Sequence, residues 1–135
     1  MSAHDSRALM EDYLAAARAG DWERAFEFMS EDVVLHVPGR SAYAGRHEGK
    51  AALREFLKSA LEGTTQVDVD LVDALIGEEH VGLMLRERLV RPDRTLEMSR
   101  LNVYRVRDGQ IVEAWIFEAN QYAVDEFMEP QPERA

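Results

Sequence analysis

Cysteine is absent from this sequence. That single fact excludes a disulfide framework, a thiolate metal site, an iron–sulfur cluster and a cysteine nucleophile, and it suits a reducing cytoplasm. Positive charge is in short supply too: 16 basic residues face 26 acidic ones, a formal net charge of −10. Such a surface repels phosphate backbones and anionic lipids, so neither nucleic acid nor membrane is an expected partner. No apolar run approaches the roughly 20 residues of a membrane span. The opening segment MSAHDSRALMEDY is acidic and has no hydrophobic centre, which argues against a signal peptide and for a cytoplasmic protein. There is no H-E-x-x-H, no glycine-rich phosphate loop and no nucleophile elbow, and neither Ser59 nor Ser99 has a basic partner nearby. No metal and no cofactor are therefore expected.

What is present is ordinary globular composition, 46% hydrophobic and 31% charged over 135 residues. That is enough chain for one domain, which buries roughly 65–70% of its unfolded surface. Residues 1–128 read as that domain and 129–135 as a polar tail. Leu9, Tyr13, Leu14 and Ala17 recur at helical spacing, with Asp5 or Ser6 as N-cap and Gly20 as the stop. Asp21 caps a second helix whose inner stripe is Trp22, Ala25, Phe26 and Met29. Val33–Val37 reads as a strand ended by Pro38-Gly39, residues 40–49 as a loop, and Lys50–Leu61 as a third helix. After Gly63 the period changes to two. Strands are expected from Val67 to Leu71, from His80 to Val90, over Thr95–Val106 and over Gln110–Glu118, followed by a short helix at Gln121–Met128. Asp108-Gly109 is the strongest hairpin signal. Helices first and a meander of strands afterwards predict an α+β fold. We expect a cone-shaped, curved antiparallel sheet with three N-terminal helices enclosing a pocket.

Polar residues on apolar faces are the functional signal. The odd positions of His80–Val90 are apolar except Glu87. A hairpin tip at 91–94 sets Glu87 opposite Met98, Leu85 opposite Arg100 and Leu83 opposite Asn102. The next strand then lines the inside with Leu96, Met98, Arg100, Asn102, Tyr104 and Val106. Two readings stay open for Glu87 and Arg100: a paired cluster facing substrate, or a solvated rim pair worth under about 1 kcal/mol. His36 is a candidate general base, since imidazole titrates near neutrality. His4 reads as tail, His80 as a solvated turn residue and His47 as a loop residue able to serve a lid or contact an anion.

The segments YLAAARAGDWERAFEFMSEDVVLHVPG, YAGRHEGKAALREFL, VYRVRDGQIVEAWIF and NQYAVDEF resemble the nuclear transport factor 2-like superfamily, in its SnoaL-like and ketosteroid-isomerase-like branch. The resemblance implies a cystatin-like α+β barrel and a homodimer through the outer face of the sheet. Leu101, Val103, Trp115 and Phe117, expected to point outward, agree with that. In ketosteroid isomerases a helix-1 tyrosine and a protonated acid form an oxyanion hole opposite a carboxylate base. Tyr13 matches the tyrosine, Asn102 occupies the place of the acid, and Val37 occupies the place of the base. The acid that SnoaL-like cyclases carry on the last strand falls on Ile116. The resemblance thus implies a small-molecule enzyme of isomerase, cyclase, dehydratase or hydrolase type, acting on an apolar cyclic or carbonyl ligand. Tyr13 and Asn102 polarise an oxygen in it, and Glu87 or His36 moves the proton. Arg100, Val37, Leu85, Met98, Tyr104 and Ile116 contact substrate. A non-catalytic ligand-binding or dimerisation module is the alternative.

Overall fold

Ser2 starts the first helix, α1 (Ala3–Arg18), so the helix begins before the Asp5/Ser6 cap expected from sequence. Ser2 and Asp5 form a capping box: the Ser2 hydroxyl accepts from Asp5 N–H at 3.1 Å and the Asp5 carboxylate accepts from Ser2 N–H at 3.0 Å. Ser6 is inside the helix and fully buried, its hydroxyl donating to the Glu78 carbonyl at 2.7 Å. The chain is described by a computed structural model over residues 2–129; within the tail expected at 129–135, residues 130–135 lie outside that range.

Gly20 ends α1 at φ 73°, and the Asp21 side chain caps α2 (Trp22–Glu27) through Arg24 N–H. Met29, expected on the inner stripe of this helix, instead opens β1 (Met29–Val37). The sheet captures the chain there, because Ile111 N–H donates to the Phe28 carbonyl at 2.8 Å. The expected loop at 40–49 contains β2 (Gly45–Glu48), which pairs antiparallel with β1 from Val34↔Glu48 to Val37↔Gly45. Four residues are too few to display an alternation, and β2 forms because β1 offers an unpaired edge. The remaining elements follow the expected pattern: α3 (Lys50–Ala60), β3 (Gln66–Ile76), β4 (His80–Arg91), β5 (Arg94–Arg107), β6 (Gln110–Glu118) and α4 (Gln121–Met128).

The strands form one six-stranded sheet in the order β2-β1-β6-β5-β4-β3. It is curved but unclosed, with β2 and β3 as its edges. One neighbour pair departs from the antiparallel scheme: β1 runs parallel to β6, the chain between them passing through β2, α3 and the β3–β5 meander. The β4–β5 register is the one expected, with Leu85↔Arg100, Leu83↔Asn102 and Glu87↔Met98. At Asp108-Gly109 both residues take positive φ, 52° and 77°, as a tight two-residue hairpin requires.

The core lies between the concave sheet face and α1–α3. Val33, Val81, Val106 and Ile111 are fully buried, with Met10, Phe26, Leu53, Leu83 and Leu85 packed around them. Each such aliphatic side chain contributes about 1.5–3 kcal/mol relative to exposure. A second, smaller cluster of Leu89, Leu96, Met98, Val124 and Phe127 seats α4 at the opposite end of the sheet. Edge strand β3 is less buried than its alternation predicts. A bulge between Leu71 and Asp73 shifts the register, and Val67, Leu71, Val72 and Leu75 on this edge strand are exposed. No helix among the described residues is long and apolar enough to cross a membrane.

Candidate active site

The concave face and its helices enclose a cavity with two adjoining lobes of about 190 and 160 Å³. Both lobes are bordered by Tyr13, Glu87, Arg100, Asn102, Tyr104 and Ile116. Sequence reasoning therefore brings Tyr13, Glu87, Arg100 and Asn102 to one hollow, as the strand alternation requires. Val37, Leu85 and Met98 line the larger lobe with Tyr104 and Ile116. Trp22, Phe56 and Leu57 supply the helical wall.

Glu87 and Arg100 are paired and buried, not a solvated rim. Arg100 Nη1 donates to Glu87 Oε2 at 2.7 Å, with side chains only 14% and 15% exposed. Arg100 also donates from Nε to Glu118 Oε1 at 2.9 Å and from Nη2 to Glu118 Oε2. Glu118 is the acidic residue that sequence reasoning missed. Ile116, the position matched to the family's last-strand acid, faces Asn102, while Glu118 lies two residues on and pairs with Arg100 across β5 and β6. The signal was the period of two: Ala114, Ile116 and Glu118 share the inner face, and the Asp108-Gly109 hairpin sets Glu118 beside Arg100. Two carboxylates against one guanidinium leave a surplus negative charge. Burial pushes the Glu87 carboxyl above its ordinary 4.5; Arg100 opposes the shift and Glu118 reinforces it.

Above this triad sits a pair of phenols. The rings of Tyr13 and Tyr104 lie 5.4 Å apart, tilted by 59°. Asn102 Nδ2 donates to Tyr104 Oη at 3.3 Å. Asn102 thus acts on the phenol pair, and its Oδ1 is buried without a hydrogen-bond partner. Burial raises both phenols above 10.0, Tyr13 by a wide margin with Tyr104 adding to the effect, so both are protonated near neutrality. Both phenols border the cavity, where a protonated hydroxyl can donate.

The histidines lie elsewhere. His36 is on the convex face of β1, stacked on Trp115 at 5.3 Å and bonded through Nε2 to Glu113 at 2.6 Å. It does not border the cavity, because Val33, Leu35 and Val37 take the inward positions of β1. His47 Nε2 bonds the Tyr43 carbonyl at 2.7 Å and its ring packs on Phe56, a structural arrangement. His80 is exposed at the start of β4, and His4 lies in the first turn of α1, not in a tail. Among the described residues no cluster of three or more His, Cys, Asp or Glu side chains is arranged to hold a metal ion.

A family model described as the SnoaL-like domain matches residues 10–114. The chain belongs to the SnoaL-like domain family. Solved structures agree with the fold. The protein Bal32a, from a soil-derived mobile gene cassette, is 24% identical with a TM-score of 0.87, over 94% of this chain and 98% of that one. A Xanthomonas campestris protein of unknown function with a cystatin-like fold is 26% identical with a TM-score of 0.80, over 96% and 100%. TerC, crystallised with polyporic acid, is 17% identical with a TM-score of 0.81, over 93% and 99%. No curated protein matches the sequence.

Proposed function

We propose that this SnoaL-like protein is an enzyme that moves a proton on an uncharged, apolar cyclic or carbonyl substrate held in the cone. One observation carries the reading: a surplus carboxylate and a pair of buried phenols border one mostly apolar cavity. Glu87 is the acid–base group. Its raised proton affinity suits transfer near neutral pH, and its Oε1 accepts no hydrogen bond among the described residues. The Tyr13–Tyr104 pair donates to a developing oxyanion, and Asn102 supports it by donating to Tyr104. A donor of this kind contributes about 10²–10³ in rate. Arg100 holds Glu87 in place and balances charge as the proton leaves. Isomerisation, cyclisation, dehydration and hydrolysis all fit this inventory, and no cofactor is required by it. That another protein of this fold, TerC, was crystallised with polyporic acid supports a small-molecule occupant.

The test is turnover on a panel of enones, epoxides and lactones by wild type, Glu87→Gln, Tyr13→Phe and Tyr104→Phe, beside thermal melts. Activity lost with folding intact is the expected result. No turnover on any member, in a folded wild type, favours the second reading: a ligand-binding module. That reading draws on the mutual satisfaction of Glu87, Arg100 and Glu118, which makes the triad self-sufficient without chemistry. We also propose a cytoplasmic homodimer through the convex face, where Met84 and Phe117 are exposed beside Leu101, Val103 and Trp115 and no helix packs.

A further inference from the structure

Glu118 carries no part of the proton transfer just described, yet it is among the most buried charges in the molecule, with a side chain 2% exposed. Its two oxygens grip Arg100 along one edge, Oε1 at Nε and Oε2 at Nη2. A side-on grip by two N–H donors fixes both the plane and the direction of a guanidinium. Nη1 is the nitrogen left for Glu87, and it reaches only Oε2. One guanidinium is therefore divided unequally between two carboxylates, two hydrogen bonds to one and a single bond to the other.

We propose that Glu118 is a positioning residue: by holding Arg100 edge-on it denies Glu87 full neutralisation, and so keeps Glu87 able to take up and release a proton inside the cavity. The proposal rests on reading Glu87 as the proton-moving group. Glu118 acts in two ways, by engaging Arg100 and by its own negative charge beside Glu87. The other groups bordering the cavity with Glu87 leave this arrangement in control. β5 contributes Arg100 and Tyr104, β6 contributes Glu118, α1 contributes Tyr13 and Arg18, and the loop before β2 contributes Tyr43. Glu87 also borders a surface groove with Asp68 and Asp70 of β3, Arg86 and Arg88 of β4 and Glu97 of β5. β3 sets Val69 opposite Glu87, and α3 and α4 bring no charged side chain to the cavity.

The experiment is a pH titration of the Glu87 side-chain carboxyl by carbon NMR in the full chain. The resonance is assigned by its loss in Glu87→Gln. It is compared among wild type, Glu118→Asp and Glu118→Gln. Glu118→Asp keeps the charge but shortens the reach, so Arg100 turns partly toward Glu87; Glu118→Gln removes the charge as well. The Glu87 midpoint is expected to fall in that order, by about one unit or more in Glu118→Gln. A midpoint at or above the wild-type value in either variant overturns the proposal. So does a loss of stability in both with the Glu87 titration unmoved, which is what a merely structural Glu118 would produce. Should Glu118→Gln fail to fold, Glu118→Asp carries the test alone. The titration needs no substrate, so a failure of the Glu118 coupling and an absence of turnover are read separately.

Discussion

Glu87 is the residue whose charge state decides what the cavity can do. Its folded-state proton affinity is raised by burial, so its favourable contribution to stability is fully present below the unfolded carboxyl value and is lost as pH rises through the folded value. Glu87→Gln is therefore expected to melt higher than wild type at pH 7, with the gap closing toward pH 4; melting curves across that range check it. Arg100 behaves oppositely. Arg100→Met leaves Glu87 and Glu118 buried without their cation, a loss of about 3–5 kcal/mol at pH 7 that shrinks in acid as the carboxyls take up protons. Denaturant unfolding at two pH values measures it. Tyr104 stands between Tyr13 and Asn102, its ring against the first and its hydroxyl accepting from the second. Removing its hydroxyl leaves Asn102 Nδ2 without its partner, at about 1–3 kcal/mol.

Among the elements, α4 packs apart from the main core. It sits on its own small cluster with Val124 and Phe127 inward, and it borders the mouth of the cavity through Gln121, Val124 and Met128. It is tied by polar contacts at its middle and at its C-terminal end. Arg40 N–H donates to Asp125 at 3.2 Å at the first. At the other, Arg91 donates to the carbonyls of Phe127 at 3.0 Å and Ala60 at 3.3 Å while lying over the Phe127 ring at 4.3 Å. Arg91 thus bridges the ends of α3 and α4. Arg91→Ala is expected to raise amide exchange in α4 and the last turn of α3, leaving β4–β6 unchanged, and to cost about 1.5–3 kcal/mol. Mass-detected hydrogen exchange is the measurement. Gly39 takes φ 96°, a conformation that strains any other side chain, and a Cβ there would lie 2.3 Å from the ends of the Gln121 and Asp125 side chains, which would have to shift.

Across the whole molecule, the curved sheet has a filled concave side and a bare convex one. The convex side carries Met84 and Phe117, 41% and 52% exposed, on a chain of net charge −10. Under the proposed homodimer, sedimentation should return twice the chain mass, and Phe117→Lys should return a monomer without lowering the melting temperature of the fold. A wild-type monomer at micromolar concentration refutes the dimer. The sequence made most of this architecture legible. Alternation of two in β4 and β5 and a hairpin tip at 91–94 predicted the register that sets Glu87 beside Arg100. Met29 and β2 were not legible, because a six-residue helix and a four-residue strand are too short for a period to show. Both owe their form to the edges of β1 and β6.

Local chemistry in the chain determined where helices start and stop, which strand faces are apolar, and that Tyr13, Glu87, Arg100 and Asn102 point to one side. These are properties of spacing, and spacing is written residue by residue. Tertiary structure alone decided which partner each polar group keeps. That Arg100 spends two hydrogen bonds on Glu118 and one on Glu87, that Asn102 serves Tyr104, and that His36 stacks on Trp115 on the far face all depend on how strands distant in sequence meet. Partnership is set by distance in space, which no periodicity along the chain encodes.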